Sequence, residues 1–380
     1  MTEGILSRFK TYPFPISPIE KAEIWADMEK LKEKLEKFFI VALSNPPSMS
    51  AILYGWRGVG KTYAMKFFTR LDVVQEIIAQ RKLKLFIIKV PMQLGISQNP
   101  YKYLYIRIME AIRDELKNTL KEKLSVTAQQ YLSDTGFMRR QIKTELSNFI
   151  YIDKISTILS KWLEYLIYQK DTLEEKEFKK LRMDTRDIAE EDIPYVVTGL
   201  FNFLISSEIL RKLLENKSIK IILWIDEWEN ILDVRQVEFY KINDFIRYLI
   251  DYVPLSLALL INLTLKPKES SGDVPKYFTH TVLDRILNWI EIKPLSPDDA
   301  IKYVKDRLEY YLKEEEDNPV TEDAIKIVVE KIIKEIGSIT PRDLNKAFSI
   351  ILTEADYRKY RKLDLERTKT ILEEIEFKPF

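Results

Sequence analysis

The sequence of 380 residues predicts an α/β fold in which helices cover both faces of a parallel sheet. Two observations support this prediction. A glycine-rich loop separates a short apolar run from a helical segment, and a longer apolar run ends in two adjacent acidic residues. Uninterrupted apolar runs are typical of parallel strands, because helices bury both faces of such a sheet. Five runs qualify as strands, and they lie at residues 50–54, 85–90, 219–226, 255–264 and 289–292.

Composition limits the classes of protein to which the chain can belong. Hydrophobic residues make up 46% of the chain, which is enough for a sizeable core. The 60 basic and 59 acidic residues give a net charge of +1, so bulk charge predicts adsorption neither to nucleic acid nor to a membrane. The sequence contains no cysteine, which excludes disulfides, thiolate metal sites and cysteine nucleophiles.

The location of the protein is predicted from the same features. The first residues are polar, and no apolar run approaches the roughly 20 residues of a membrane helix, so we expect a cytoplasmic protein without a membrane partner. The high content of Lys, Glu, Ile and Tyr is typical of thermophiles.

The glycine-rich loop matches the phosphate-binding pattern G-x-x-x-x-G-K-[ST] and stands between a strand and a helix. Glycines permit backbone torsions that turn successive N–H groups toward one anion, and the helix adds the positive end of its dipole. The lysine can reach the β- and γ-phosphates, and the threonine hydroxyl can ligate Mg²⁺. The residues predicted to bind the nucleotide are Gly55, Trp56, Arg57, Gly58, Val59, Gly60, Lys61, Thr62 and Tyr63.

The third apolar run ends in Asp226 and Glu227. Adjacent carboxylates at a strand end repel each other, and coordination of a metal ion explains their proximity. We predict that Asp226 and Thr62 hold Mg²⁺ and that Glu227 is the general base that polarises the attacking water. The alternative is an ordinary pair of surface acids.

These two motifs together resemble those of the AAA+ ATPases. The segment Trp228-Glu229-Asn230, which follows the two acids, is similar to the corresponding segment in the clade of archaeal and eukaryotic replication initiators. The resemblance covers residues 15–92 and 193–355. It implies a parallel five-stranded P-loop sheet, an all-α lid, binding and hydrolysis of ATP with Mg²⁺, and a homo-oligomer in the ATP-bound state.

The resemblance also implies roles for three polar residues beyond the two motifs. Asn262 or Thr264, near the end of the fourth strand, would be sensor 1, and we favour Asn262 because an amide both donates and accepts hydrogen bonds. Arg285, just before the fifth strand, would be an arginine finger that enters a neighbouring subunit's site. Arg342, in a Gly-x-x-x-Pro-Arg pattern, would be sensor 2 and would contact the γ-phosphate.

Each of these roles has a structural alternative. The polar residue on the fourth strand can bond to a neighbouring loop instead of a ligand. Arg285 can pair with the adjacent Asp284, and Arg342 can pair with the adjacent Asp343.

We expect three regions, which are an N-terminal segment and helix at residues 1–45, an α/β core at 46–294 and a helical lid at 295–380. Helix-start signals at Ser296, Thr321 and Thr340 mark the lid.

The N-terminal region combines a Pro-rich segment with a helix predicted over residues 20–42. In related ATPases an extended segment at this place packs on the adenine ring. Pro15 and Ile16 are the candidates for this contact.

The core contains more chain between its two motifs than a compact sheet requires. The surplus lies at residues 125–192, where apolar residues recur every three or four positions, as in helices. In the superfamily that the chain resembles, elements inserted at this place often face a partner or substrate, so we expect a protein partner at this helical insertion. Its acidic residues slightly outnumber its basic ones, which argues against general DNA binding by the insertion.

The C-terminal end departs from the replication initiators, because fewer residues follow Arg342 than a winged-helix domain needs. Residues 357–362 interleave basic and aromatic side chains, which suits either DNA or an exposed helix face. The first functional hypothesis is an ATPase that couples nucleotide state to assembly on DNA, in replication, transposition or plasmid maintenance. The alternative is a nucleotide-driven switch or remodeller of protein partners, in defence or signalling, that acts through the insertion. A scaffold that binds nucleotide without hydrolysing it is a third.

Overall fold

The computed structural model describes residues 4–15, 22–44, 47–95, 99–123, 135–168, 188–214 and 216–377. Five strands form one sheet, and they are β1 (Met49–Trp56), β2 (Leu85–Gln93), β3 (Ser218–Asp226), β4 (Leu257–Leu265) and β5 (Asn288–Ile292). Their order is β2-β3-β4-β1-β5, and every pairing is parallel. The predicted five-stranded parallel sheet is confirmed. Strand β4 begins later than expected, because Ser256 has a φ of 63°, which interrupts an extended strand.

The glycine-rich loop and the acidic pair lie at the same edge of this sheet, because all five carboxyl ends point the same way. Gly55 of β1 is in register with Thr264 of β4, and Leu53 is in register with Asn262. Ligands of open parallel sheets bind outside this edge.

Both faces of the sheet are buried, as the apolar runs predicted. Along β3, Leu223 and Ile225 belong to one core cluster, whereas Ile222 and Trp224 belong to the cluster on the other face. Alternate side chains of a strand point to opposite faces, so a strand that is covered twice is apolar throughout. The covering helices of the first face are Pro100–Lys123, Ile193–Ser206 and Gln236–Tyr252, and those of the second are Glu29–Ser44, Lys61–Phe68 and Leu71–Gln80.

The helical insertion extends the first of these clusters. Its described helices are Thr135–Ser147 and Asp153–Tyr168. Ile155, Leu159 and Trp162 recur at helical spacing and are buried in the same cluster as the sheet. The predicted helical spacing is confirmed in this helix, and the insertion shares the core of the sheet. Residues 124–134 and 169–187 of the chain lie outside the described ranges.

The C-terminal region is all-α, as predicted, and has its own hydrophobic cluster. Ser296, Thr321 and Thr340 each accept a hydrogen bond from the backbone N–H three residues later, so the predicted start signals are helix caps. The helices are Pro297–Tyr311, Glu322–Ile336, Pro341–Tyr357 and Leu365–Glu373. No helix within the described ranges is at once long enough and apolar enough to cross a bilayer.

The N-terminal segment packs on these C-terminal helices. Phe9 forms a β-bridge with Leu312, and the Tyr12 hydroxyl donates to the carbonyl oxygen of Ser349 at 2.7 Å. The side chain of Phe14 is buried in the C-terminal cluster.

The helix predicted over residues 20–42 begins at Glu29 instead, which corrects that prediction. Asp27 and Met28 have φ values of 49° and 61°, and an α-helix cannot contain two such residues. The chain therefore turns sharply before the helix starts.

Candidate functional site

A cavity of about 470 Å³ lies at the carboxyl edge of the sheet. Its wall combines the glycine-rich loop, the acids after β3 and the start of the helix Pro341–Tyr357. Pro15 from the N-terminal segment also lines it, whereas Ile16 lies outside the described residues. Parts of the sequence that are far apart along the chain thus meet around one space.

The glycine-rich loop adopts backbone conformations that suit glycine. Gly58 and Gly60 have φ values of 87° and 106°, and the helix Lys61–Phe68 begins directly after them. The first N–H groups of a helix have no partner within it, so this end favours an anion. At Gly55 a Cβ would lie 2.3 Å from the carbonyl oxygen of Ile292, so the loop can leave β1 only without a side chain there.

Most of the predicted loop residues line the cavity, and these are Arg57, Gly58, Gly60, Lys61, Thr62 and Tyr63. Three others do not. Val59 is fully buried beneath the loop, and Trp56 is 42% exposed. Gly55 and Trp56 contribute through their carbonyl oxygens, which accept hydrogen bonds from Lys61 Nζ at 2.9 and 2.8 Å.

The electrostatics of Lys61 suit a phosphate. Burial lowers the pKa of its ammonium to about 8, and the charges of Glu229 and Asp226 oppose this shift. A bound anion would favour the charged form, for the same reason that the two carboxylates do.

Asp226 is buried and only half satisfied. Its Oδ1 accepts hydrogen bonds from the Asn262 side-chain amide and from the Glu227 backbone N–H, both at 3.0 Å. Its Oδ2 is buried without a hydrogen-bond partner among the described residues. Such an oxygen is costly unless a donor or a cation meets it. The arrangement fits Mg²⁺, which prefers oxygen ligands, and Thr62 offers a hydroxyl on the same cavity.

Glu227 lines the cavity in a strained conformation. Its φ of 58° and ψ of 38° place it in the left-handed region, which is unusual for glutamate and frequent at functional sites. Burial raises the pKa of its carboxyl, and the charges of Asp226 and Glu229 raise it further. A carboxylate with a raised pKa is suited to accept a proton.

Glu229 is a site residue that the sequence did not single out. It lines the cavity, and its Oε2 accepts a hydrogen bond from the Thr264 backbone N–H at 2.9 Å. Glu229 belongs to the segment that supported the resemblance to the replication initiators, so the sequence pointed to this segment but assigned no role to Glu229.

The structure separates the two candidates for sensor 1. Asn262 is fully buried, and its Oδ1 accepts a hydrogen bond from the Trp224 indole at 2.8 Å while its Nδ2 donates to Asp226. Asn262 was preferred because its amide can both donate and accept. Both the oxygen and the nitrogen of this amide form hydrogen bonds within the protein. Thr264 lines the cavity and Asn262 does not, so the geometry favours Thr264 as the residue that meets a ligand.

Arg342 lines the cavity. Asp343, its alternative partner, belongs to a capping box, in which its Oδ2 accepts from the Thr340 backbone at 3.0 Å and from the Thr340 hydroxyl at 2.6 Å. Arg342 forms no hydrogen bond or ion pair with the described residues. Burial and the charge of Arg57 lower the pKa of Arg342, the charge of Asp343 opposes this shift, and a bound anion would likewise favour the charged form.

Arg285 lies outside this cavity. The Ser50 hydroxyl, near the start of β1, donates to its carbonyl oxygen at 3.3 Å, which places it toward the opposite edge of the sheet. Its Nε donates to Asp251 at 2.5 Å, so its ion-pair partner is Asp251 and not the adjacent Asp284. Any role of Arg285 in a nucleotide site therefore requires a second subunit and stays a prediction.

Aromatic and basic side chains from distant parts of the chain complete the cavity, and they are Trp25, Tyr63, Tyr303 and Arg307. Of these, the sequence singled out Tyr63 alone. The Tyr63 hydroxyl donates to the carbonyl oxygen of Ile24, and burial raises its pKa to about 12. Trp25 lies at the cavity because the chain turns before Glu29, and no local sequence pattern predicts this turn.

The chain has the fold of P-loop proteins of the AAA+ type. The ORC2 protein of Aeropyrum pernix, in ADPNP–ADP complexes, is similar over 96% of this chain and 72% of its own, with a TM-score of 0.53 and 11% identity. An identity this low shows the fold alone, and at that level the resemblance to the replication initiators is confirmed.

Two other solved structures give lower scores. The ORC1 protein of Aeropyrum pernix, in complex with DNA, has a TM-score of 0.48 and 12% identity over 93% of this chain and 66% of its own. CDC6P from Pyrobaculum aerophilum has a TM-score of 0.48 and 14% identity over 95% of this chain and 70% of its own. This chain thus spans about two thirds of the ORC1 structure. The sequence itself matches no protein-family profile and no curated protein.

Proposed function

We propose that the protein binds ATP with Mg²⁺ and hydrolyses the ATP. The observation that supports this most directly is Asp226 Oδ2, which has no hydrogen-bond partner among the described residues and lies beside Glu227, on a cavity whose wall includes the glycine-rich loop. A site that only held a nucleotide would not need the carboxylate of Glu227 on the same cavity.

The residues of the chain divide the work of hydrolysis. The loop N–H groups and Lys61 bind the β- and γ-phosphates, and Thr62 and Asp226 hold the ion. Mg²⁺, when bound, neutralises charge on the phosphate oxygens. Glu227 takes a proton from the attacking water, and Thr264 orients that water through its hydroxyl.

Lid and core meet at the phosphate end of the site. A Cβ on Gly58 would lie 2.9 Å from Arg342 Cβ, so the loop and the lid helix are in direct contact. Arg342 would bind the γ-phosphate and transmit its loss to the lid. Because residues 4–15 pack on the C-terminal helices, we infer that this segment moves with the lid at residues 295–380, and separately from the core at 46–294.

The favoured biological role is coupling of the nucleotide state to assembly on DNA. The support is similarity of fold to proteins named ORC, one of them solved with DNA. Arg285, which is remote from the cavity of its own chain, would enter the site of the next subunit in an ATP-bound homo-oligomer.

The alternative is a switch that acts on a protein partner through the insertion, and two observations favour it. Tyr151, between the two described insertion helices, is 91% exposed. In the basic segment near the C-terminus, Arg358 is committed to Glu354 and Glu374 at 2.7 Å each, so this side chain is not free for phosphate.

The test is ATP turnover with and without DNA, combined with mass determination by light scattering. We expect turnover that requires Mg²⁺ and a mass that rises with ATP. DNA-stimulated turnover supports the favoured role. Turnover indifferent to DNA, with a protein partner that is lost in Tyr151→Ser, supports the alternative, because this exposed side chain can be changed without removing core residues. No turnover in any state contradicts the proposed hydrolase.

A further inference from the structure

Arg307, on the helix Pro297–Tyr311, is a buried cation with an unused donor. It is 2% exposed and lines the cavity. Its Nε donates to the carbonyl oxygen of Pro13 at 2.8 Å, whereas its Nη2 is buried without a hydrogen-bond partner among the described residues. Buried N–H donors are almost always paired, so this one calls for an acceptor.

Three aromatic rings hold this guanidinium in place. Its central carbon lies 5.7 Å from the ring centres of Phe14 and Tyr303 and 5.5 Å from that of Tyr311. Ring faces stabilise a cation and explain how Arg307 is buried without a carboxylate partner in the described ranges. The ring faces offer no lone pair to Nη2, and although the Tyr303 phenol interacts with the Arg307 guanidinium, Nη2 itself has no hydrogen-bond partner among the described residues.

Arg307 and Lys61 have different neighbours around the cavity. Arg307 donates to the carbonyl oxygen of Pro13 and lies over the ring of Phe14, so it contacts the N-terminal segment. Lys61 donates instead to the loop carbonyl oxygens of Gly55 and Trp56.

Trp25 lines the same cavity and carries a second donor without a partner among the described residues. The indole Nε1 of Trp25 is buried without a hydrogen-bond partner among the described residues. Its ring packs edge-on against Phe67 and Phe68, with centroids 5.1 and 5.4 Å away, so the indole is held in place as the guanidinium is.

We propose that Arg307 and Trp25 bind the nucleoside part of the ligand by donating hydrogen bonds to acceptor atoms of its base or ribose. This inference rests on the proposed nucleotide binding and adds the chemistry that recognises the nucleoside. Because both groups are donors, ring nitrogens or ribose oxygens must face them, and the amino group of adenine must point elsewhere. The bond from Arg307 to Pro13 then links the occupied site to the N-terminal segment.

The test compares ligands that differ by one acceptor. Calorimetric affinities are measured for ATP, its 1-deaza, 3-deaza, 7-deaza and 2′-deoxy analogues, and inorganic tripolyphosphate. The proteins are the unaltered chain, Arg307→Met and Trp25→Phe, with Arg342→Met as the control at the phosphate end.

We expect Arg307→Met to weaken ATP binding about tenfold and to leave tripolyphosphate binding unchanged. Arg342→Met should weaken both. One analogue should bind the unaltered protein about tenfold more weakly than ATP does. In Arg307→Met or in Trp25→Phe, the same analogue and ATP should bind with equal affinity, because the donor that recognises the missing acceptor is gone. That analogue identifies the acceptor.

Equal losses for ATP and tripolyphosphate in Arg307→Met would overturn the proposal, as would unchanged ATP affinity in both Arg307→Met and Trp25→Phe. If Arg307→Met does not fold, Trp25→Phe carries the same comparison, since it removes the indole donor and keeps an aromatic ring. Failure of the unaltered protein to bind ATP would refute nucleotide binding itself, which is a separate result.

Discussion

Asn262 donates a hydrogen bond of 3.0 Å to Asp226 and thereby orients the carboxylate whose second oxygen has no partner among the described residues. The other side of the same amide accepts from Trp224 at 2.8 Å, in the core beneath the site. The candidate metal ligand is thus positioned by a residue that does not itself reach the cavity, and the packing of the sheet is tied to the chemistry above it.

Asn262 and Thr264 should therefore differ when they are altered. Asn262→Ala leaves the Trp224 indole and Asp226 Oδ1 short of a partner, so the free energy of unfolding in urea should fall by about 2 kcal/mol. Thr264→Val keeps the shape and the backbone bond to Glu229, so its stability should be unchanged while ATP turnover falls at least tenfold. Full turnover in Thr264→Val would contradict the assignment of Thr264 as sensor 1.

Lys61 and Glu227 separate binding from turnover. Lys61→Ala should abolish nucleotide binding, because it removes the ammonium that is proposed to meet the β- and γ-phosphates. Glu227→Gln should keep binding and lose turnover by a factor of about 100 or more, because an amide cannot take the proton of water. Calorimetry and phosphate release measure the two effects, and turnover that persists in Glu227→Gln would remove it as the general base.

Gly58 is predicted to tolerate no side chain. Its φ of 87° is costly for alanine, and the new Cβ would lie 2.9 Å from Arg342 Cβ and Thr340 Oγ1. Gly58→Ala should cost about 1–2 kcal/mol of stability and weaken ATP binding. Gly272→Ala is the matched control, since there the nearest atom is Ser270 Oγ at 3.6 Å. Thermal unfolding and ATP affinity should change in the first variant and stay constant in the second.

Glu190 should stabilise the fold in a pH-dependent way. Lys241 and Asn99 donate to it at 2.5 and 2.9 Å, and these bonds lower the pKa of its carboxyl to about 2. A folded-state pKa below the unfolded one means that the stabilisation is present above pH 4.5 and is lost as the pH falls through 2.

Glu190→Gln should accordingly lower the free energy of unfolding by about 1 kcal/mol at neutral pH, a modest value because the pair is partly solvated. The difference from the unaltered protein should shrink as the pH falls below 4.5. Glu191→Gln, at the exposed neighbour, should show neither effect in the same urea titrations. A difference that does not vary with pH would exclude the ionised carboxylate as its source.

Arg285 should matter only in assemblies. Its pair with Asp251 is partly exposed, so Arg285→Ala should cost no more than about 1 kcal/mol of stability. Turnover per subunit should rise with protein concentration in the unaltered chain and stay low in the variant. If light scattering shows a monomer with full activity, an arginine finger supplied by a neighbour is ruled out.

Much of the fold could be predicted because its signals are local. Glycines at Gly58 and Gly60 are required by the backbone of the loop itself, and the buried run before Asp226 is continuous because both faces of β3 are covered. The caps at Ser296, Thr321 and Thr340 are likewise set within one helical turn. The late start of the helix at Glu29 was missed, because two non-glycine residues take positive φ there.

From the sequence alone followed the parallel sheet, the phosphate loop, the acidic pair and the helical lid, since each depends on residues that are close together in the chain. Tertiary structure decided which side chains line the cavity. Asn262 and Thr264 are two residues apart and therefore lie on the same face of the strand, so their spacing in the sequence cannot tell which of them reaches the site. Only the position of the cavity, which Thr264 lines, distinguishes them. Arg307 and Trp25 carry no motif, and their unused donors acquire meaning only because distant segments bury them against one space.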